Sequence, residues 1–277
     1  MKRIEQVHTF EAQTAAQAWR RATATRTEVL AAATERMLKF ARVALGHRIL
    51  VVGAGTGDEA LEAAARVGPA GEVVATDAAL AMVEEMARTF ARAEVRNVHC
   101  MVMDAQHLDF DAESFDAVIA RNVLQFVPDL HHCLLGIRRV LKPGKRLGAT
   151  VWSTARRNPF RSAPLEAARA LGIRPSPGAH LRVAMRLGVP SRLGRAFQAA
   201  GFSDVVLERV EASARYQSVL MAVEEAMDHP GTRQLVAMLP DASAKRMASS
   251  LIRRWQRYAD PVVTVIPGEQ LVAAGTR

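Results

Sequence analysis

Short apolar runs alternate with longer amphipathic stretches through the first half of the chain. The runs that predict strands are rich in β-branched and other apolar residues: HRILVV, EVVATD, NVHCMVMD and FDAVIARN. The stretches that predict helices place apolar residues three and four positions apart: DEALEAAARV, ALAMVEEMARTFA and DLHHCLLGIRRVL. KPGKRLGATVW then supplies a turn and a fifth strand. Strands that alternate with helices at this spacing predict an α/β protein, with a parallel sheet covered by helices on both faces.

The remaining segments predict further layers around this core. Apolar residues at helical spacing predict a helical lead-in over residues 1–46, and the core extends over residues 47–152. Prolines break residues 153–200 into short pieces, which indicates a cap insertion. Residues 201–277 are predicted to complete the sheet with a sixth strand, a helical insertion and a final strand in PVVTVIPGEQLVAAGTR.

Composition narrows the class of protein. The formal charge of +9 comes largely from arginines spread along helix-like stretches of the second half. Because no dense basic block stands out, we interpret them as solvated helix faces, and nucleic acid is not the expected partner. No run approaches the roughly 18 to 20 uncharged apolar residues of a membrane span. The start MKRIEQVHTFEAQT lacks the apolar core of a signal peptide, so a cytoplasmic protein is expected.

Two cysteines, Cys100 and Cys133, are too few for a disulfide framework or a zinc cluster of the usual spacing. Their apolar neighbours predict that both are buried small hydrophobes. The sequence therefore predicts no metal site.

Three glycines directly follow the first predicted strand, in ILVVGAGTGDEALEAAARVG. Gly53, Gly55 and Gly57 occupy every second position before a predicted helix that begins near Asp58. Glycine tolerates positive φ and leaves room for a ligand, while free amides at a helix start favour an anionic group. A dinucleotide fingerprint would place its third glycine at Asp58, and a Walker A loop would need Lys followed by Ser or Thr. Neither fits.

Carboxylates end the next two predicted strands. Asp77 lies about twenty residues past the glycine loop, where a carboxylate accepts hydrogen bonds from both hydroxyls of a ribose. Asp104 ends the third strand. Because the carboxyl ends of parallel strands lie at one edge of a sheet, three consecutive strand ends present groups suited to a methionine moiety, a ribose and an adenine amine.

These features in this order resemble class I S-adenosylmethionine-dependent methyltransferases, in the branch similar to ubiquinone/menaquinone C-methyltransferases (methyltransferase type 11). The segments that carry the resemblance are VVGAGTGD, VVATDAALAMVEEM, MDAQHLDFDAESFDAVIARNVLQFVPD, IRRVLKPGKRLGATVW and PGEQLVAAGTR. The resemblance implies a Rossmann-like sheet of seven mostly parallel strands, with N-terminal helices and a helical cap. It also implies S-adenosyl-L-methionine as the cofactor.

The resemblance implies a set of cofactor-binding residues, which are Trp19, Gly53, Ala54, Gly55, Gly57, Asp77, Ala78, Met82, Asp104, Ala105, Gln106, Arg121 and Asn122. In that set the glycine loop wraps the methionine part, Asp77 holds the ribose and Asp104 accepts from the adenine amine. Arg121 and Asn122 would lie beneath the sulfonium, and Trp19 would close the pocket from above.

One position departs from the family pattern. Members usually carry an acidic residue two positions before the first glycine, and here that position is Val51. The acid helps to orient the loop and the amino group of the cofactor, so its absence puts cofactor affinity and methyl transfer in doubt.

The acceptor and the catalytic groups are less defined. Methyl transfer is an in-line displacement, so positioning and a dry pocket supply most of the rate, and a base is needed only for a protonated acceptor. Candidate bases are His107, His131 and His132. Phe126, Trp152, Phe160 and the apolar residues of 160–200 are candidates for lining a pocket for a small hydrophobic or aromatic acceptor.

Three functions remain in competition. The leading one is methyl transfer to a small molecule, and a homodimer is compatible with it. The second is a protein that keeps the fold without methylating, as a cyclase, regulator or binding module, and it is motivated by Val51. The third is methylation of RNA or protein, motivated by the basic charge alone.

Overall fold

The computed structural model describes residues 23–174, 180–238 and 243–277. Helix α1 (Thr23–Phe40) leads into an alternating series of strands and helices, which comprises β1 (Arg48–Val52), α2 (Asp58–Val67), β2 (Glu72–Asp77), α3 (Leu80–Arg92), β3 (Val98–Val102), β4 (Phe115–Arg121), α4 (Leu130–Val140) and β5 (Leu141–Trp152). The predicted alternation of the first half is confirmed.

The second half adds helices and the remaining strands. In chain order these are α5 (Pro159–Ala170), α6 (His180–Val183), α7 (Pro190–Ala199), β6 (Ser203–Glu211), β7 (Ala214–Tyr216), α8 (Val219–Asp228), α9 (Pro230–Val236), α10 (Ser243–Trp255), β8 (Thr264–Ile266) and β9 (Glu269–Thr276).

The main sheet has seven strands in the order β3-β2-β1-β4-β5-β9-β6. All neighbours are parallel except β9, which runs antiparallel to both β5 and β6. The predicted seven-stranded, mostly parallel fold is therefore confirmed. The strand order reverses between β1 and β4, and in open sheets of this kind ligands bind beyond the carboxyl ends of the strands at that reversal.

Two apolar layers cover the two faces of the sheet. On one face α1, α2 and α3 contribute buried residues such as Met37, Val67 and Met86. On the other face α4 and α7 contribute Ile137, Leu193 and Phe197. The strands between these layers are buried on both sides, which explains why they appear as nearly continuous apolar runs in the sequence.

A separate apolar cluster joins the cap segment, residues 153–200, to the helices and short strands of residues 214–266. The small β7-β8 sheet packs with helices from both parts of the second half, namely α5, α6, α8, α9 and α10. Trp255, which is fully buried, stacks on Phe160 with ring centroids 5.6 Å apart. The cap segment and the later segment, residues 214–266, are thus packed together through one apolar cluster.

Two details differ from the sequence predictions. The predicted final strand is two strands, because β8 pairs with β7 while β9 enters the main sheet. Pro267 and Gly268 separate them. Cys133 is buried as predicted, whereas Cys100 is only half-buried, because β3 is an edge strand with one flank uncovered.

Among the described residues, no helix has the length and apolar character needed to cross a membrane.

Helix α1 contacts the sheet closely at a glycine. A Cβ atom at Gly148, in β5, would lie 2.8 Å from the backbone oxygen of Met37 and 2.9 Å from Cβ of Ala41. We expect Gly148→Ala to force α1 away from the sheet and to lower the free energy of unfolding by about 1–3 kcal/mol. The measurement is urea denaturation.

The matched control is Gly136→Ala in helix α4, where an added Cβ would meet no atom within 4 Å. That change should raise stability by about 0.4–1 kcal/mol, because alanine restricts the unfolded chain and favours helix. Equal effects at the two sites would contradict the close contact between α1 and β5.

Candidate functional site

A cavity of about 270 Å³ lies at the carboxyl ends of β1, β2 and β4, where the strand order reverses. Seven of the residues predicted from the sequence line it: Gly53, Ala54, Gly55, Asp77, Met82, Arg121 and Asn122. Its other walls come from helix α1, through Arg26 and Leu30, and from Trp152 at the end of β5. The sheet thus brings most of the predicted cofactor residues together.

The glycine loop adopts a conformation that side chains rarely tolerate. Gly53 and Gly55 have φ values of 66° and 56°, in the left-handed region. A Cβ at Gly53 would lie 2.3 Å from Cγ2 of Val123, so this glycine permits the close approach of β1 and the segment after β4. A Cβ at Gly55 would meet no protein atom within 4 Å, because that position faces open space.

The Asp77 carboxylate links the end of β2 to the glycine loop. It accepts hydrogen bonds from the backbone amides of Gly55, at 3.0 Å, and Ala79, at 2.9 Å. Burial raises the pKa of Asp77, and these amide hydrogen bonds oppose the rise. A carboxylate has about four lone-pair positions, so acceptor capacity remains for a ligand hydroxyl.

The other predicted cofactor residues that the structure describes do not line this cavity. Gly57 packs against helix α3, because a Cβ there would lie 2.7 Å from Cε1 of Phe90. Asp104 is exposed and accepts a hydrogen bond from the backbone amide of Gln106. Ala78 and Ala105 do not line the cavity either. Trp19 lies outside the described residues.

Charged side chains form a buried cluster on one wall of the cavity. Arg121, at the end of β4, lies 2.6 Å from the carboxylate of Glu59 and 3.7 Å from that of Asp58. It also donates to Thr34 Oγ1 on α1 at 3.1 Å. Arg26, on α1, forms an ion pair with Asp58. The four charged side chains are between 4% and 14% exposed. At this burial an unpaired charge would strongly destabilise the fold, so each charge lies beside an opposite one.

Sequence analysis predicted Arg121 in the site but missed Arg26, Asp58 and Glu59. The signal was present for the two acids, because they directly follow the last glycine and occupy the first turn of α2. Negative charge at that helix end is favoured by the helix dipole. Nothing in the local sequence indicates that Arg26, which is 32 positions from Asp58, is their partner.

Val51 packs into the apolar layer formed by α1, α2 and α3 and is fully buried. Its backbone oxygen accepts a hydrogen bond from Thr76 Oγ1 at 3.1 Å. The acid usual at this position is thus replaced by a well-packed apolar side chain. In this protein the buried carboxyl groups on the cavity wall come instead from the start of α2.

The three predicted histidine bases do not line the cavity. His131 and His132 are both exposed near the start of α4. His107 is exposed too, and its ring centroid is 5.7 Å from that of His132. These two rings border a shallow surface depression with Gln106.

A second, smaller cavity adjoins the first beneath the cap. Arg26, Leu30, Trp152 and Arg161 line both cavities. The aromatic residues predicted for an acceptor pocket lie in this region: Phe126 lines the first cavity, Phe160 the second and Trp152 both. The histidine that lines the second cavity is His229, which was not predicted.

Comparison with known proteins identifies the domain that carries the first cavity. Residues 49–144 match the family model described as a methyltransferase domain. Over 115 residues the chain is 34% identical to aklanonic acid methyltransferase DauC of Streptomyces sp. (strain C5), covering 42% of this chain and 52% of that protein. Over 106 residues it is 35% identical to the ubiquinone/menaquinone C-methyltransferase UbiE of Cellvibrio japonicus, covering 38% and 43%.

Among solved structures, the [4+2]-cyclase SpnF aligns with a TM-score of 0.56 and 21% identity, over 88% of this chain and 79% of that one. This likeness shows a shared fold. The matches agree with the predicted family over residues 49–144, which are similar to a methyltransferase domain and to part of a ubiquinone/menaquinone C-methyltransferase. The aligned segments span about half or less of the curated relatives' length.

Burial makes the ionised form of Glu59 unfavourable. It raises the pKa of Glu59 from 4.5 to about 6, although the Arg121 guanidinium opposes the rise. Because the folded pKa exceeds the unfolded one, the Glu59 contribution to stability is fully present below pH 4.5 and is lost as pH rises through about 6.

We therefore expect wild type to gain stability relative to Glu59→Gln when the pH is lowered from 7.5 to about 5. Urea denaturation of both proteins at the two pH values measures the difference. A larger wild-type advantage at pH 7.5 would show that pairing with Arg121 outweighs the cost of burying the charge.

Proposed function

We propose that this protein binds S-adenosyl-L-methionine in the cavity at the carboxyl ends of β1, β2 and β4 and transfers its methyl group to a small molecule held beneath the cap. The residues present suit the cofactor. Gly55 faces open space, Asp77 keeps free acceptor positions for hydroxyls, and buried carboxyl groups lie where a cationic ligand would be received.

One observation carries the proposal for a small acceptor. The cavity at the glycine loop continues into a second cavity whose walls are mainly apolar and aromatic, and the two share the four side chains of Arg26, Leu30, Trp152 and Arg161. When bound, the cofactor supplies an electrophilic methyl group and leaves as S-adenosyl-L-homocysteine. An enclosed, apolar neighbouring cavity suits a planar organic molecule better than a polymer.

The protein contributes positioning and exclusion of water. Phe160 stacks on Tyr216, with nearly parallel rings 6.2 Å apart, and so presents a flat wall. Leu30, Val29 and Ile266 complete the apolar surface. Holding an acceptor against such walls reduces its freedom, and fixed orientation is the main contribution that an in-line transfer requires.

A second candidate function is a protein that retains the fold without transferring a methyl group. The observation that favours it is Val51, buried where the family's acid usually stands. On that hypothesis Val51→Asp would produce no turnover, since the defect would not lie in the loop alone. Measurable transfer by the wild type would eliminate this candidate.

Incubation with methyl-labelled S-adenosylmethionine and an extract of small metabolites tests the proposal. We expect label in a small organic product, with about a tenfold or greater loss for Asp77→Ala. Asp111→Ala, which changes an exposed carboxylate between β3 and β4, is the control and should transfer normally. Label found only in protein or RNA would contradict a small-molecule acceptor.

A further inference from the structure

Arg161 occupies an unusual position between the two cavities. It lies in the first turn of α5 and lines both of them. Its guanidinium carbon lies 3.9 Å from the centroid of the Trp152 ring, so the cation and the ring form a cation–π interaction. Its Nη1 lies 3.3 Å from Nε2 of His229, which offers no negative charge. Its Nε is buried and has no hydrogen-bond partner.

The other cations on these walls are compensated within the protein. Arg121 pairs with Glu59, and Arg26 pairs with Asp58. Glu225, the carboxyl group that lines the second cavity, accepts a hydrogen bond from the Tyr216 hydroxyl at 3.2 Å. Among the described residues, no carboxylate lies within ion-pair distance of Arg161, so none of them supplies a counterion for its charge.

Arg161 remains charged at neutral pH in spite of this. Burial lowers its pKa to about 9, which is still two units above neutrality. A buried charge without a partner is costly, and such groups persist where a ligand or another chain supplies the opposite charge. An anion bound beside Arg161 would supply that opposite charge.

We propose that Arg161 binds the carboxylate of a flat aromatic acceptor in the second cavity. This inference rests on the proposed function and specifies its acceptor class. A guanidinium matches the two oxygens of a carboxylate with two parallel hydrogen bonds. The stacked Phe160 and Tyr216 rings suit the aromatic part of the same molecule. A phosphate would need further cations, and the other arginine of this cavity, Arg26, already pairs with Asp58.

Matched carboxylate and amide pairs test this site without knowledge of the natural acceptor. The probes are benzoate, 4-hydroxybenzoate and 1-naphthoate, each beside its amide, at millimolar concentration in a thermal-shift titration. We expect the carboxylates to raise the Tm of the wild type and the amides to have little effect. Arg161→Met should weaken carboxylate binding by about tenfold or more, the loss expected for a charge-assisted pair.

Two further variants make the test specific. Arg156→Met removes an exposed arginine from the turn that precedes α5 and should leave carboxylate binding unchanged. Arg161→Lys keeps the charge without the planar fork and should retain part of the binding, which also covers the case in which Arg161→Met fails to fold. Carboxylate binding that survives in Arg161→Met would overturn the proposal. Equal binding of the amides, or failure of every carboxylate to bind the wild type, would overturn it as well.

Failure of this inference is distinguishable from failure of the proposed function. Calorimetric titration with S-adenosylhomocysteine is carried out on the wild type and on Arg161→Met. If S-adenosylhomocysteine binds while no carboxylate does, the proposed acceptor class is wrong and the cofactor site stands. If carboxylates bind through Arg161 while the cofactor product does not, the anion site is real and methyl transfer is wrong.

Discussion

The site depends on one constraint, namely that charges buried at the carboxyl edge of the sheet must lie beside opposite charges. Arg121 ends β4, Asp58 and Glu59 begin α2, and Arg26 belongs to α1. Their ion pairs connect three elements of the fold at the edge of the cavity. Removing one partner of a buried pair costs several kcal/mol, so the pairs fix how α1 lies over the cavity. Burial raises the pKa of Glu59 and the Arg121 guanidinium opposes the rise, so the pair offsets part of the cost of burying the carboxylate.

Much of the fold, and the grouping of seven candidate cofactor residues around one cavity, could be predicted from the sequence, because the information there is local. Apolar runs, amphipathic spacing and a glycine loop followed by Asp77 each lie within a short segment. The β7-β8 sheet was less predictable. It joins segments that are about fifty residues apart along the chain, so only tertiary packing shows where the predicted last strand divides.

The differences between the predicted and observed positions of the site residues have the same physical origin. The histidines were chosen for their chemistry and for lying near strand ends, but α4 turns His131 and His132 to solvent. His229, by contrast, reaches the second cavity from the start of α9, far along the chain. The sequence does not distinguish Arg161 from the other arginines of the second half, because its distance from carboxylates is a property of the folded cavity and not of its neighbours in sequence.

Arg161 also bears on how donor and acceptor would occupy adjoining cavities. A cationic methyl donor beside an uncompensated guanidinium experiences repulsion, and the low dielectric of an enclosed cavity strengthens it. An anionic acceptor would reduce that repulsion while it places its own reacting group between the two. Charge balance and the continuity of the cavities thus favour the same arrangement.

Calorimetric titration with S-adenosylhomocysteine tests the central claim most directly, because it detects the cofactor site without requiring the acceptor. We expect wild type and Asp111→Ala to bind with micromolar affinity, and Asp77→Ala to bind at least about tenfold more weakly, since the ribose loses its acceptor and Gly55 loses a hydrogen bond. No binding by the wild type, or equal binding by Asp77→Ala, would contradict a cofactor site at the carboxyl ends of β1 and β2.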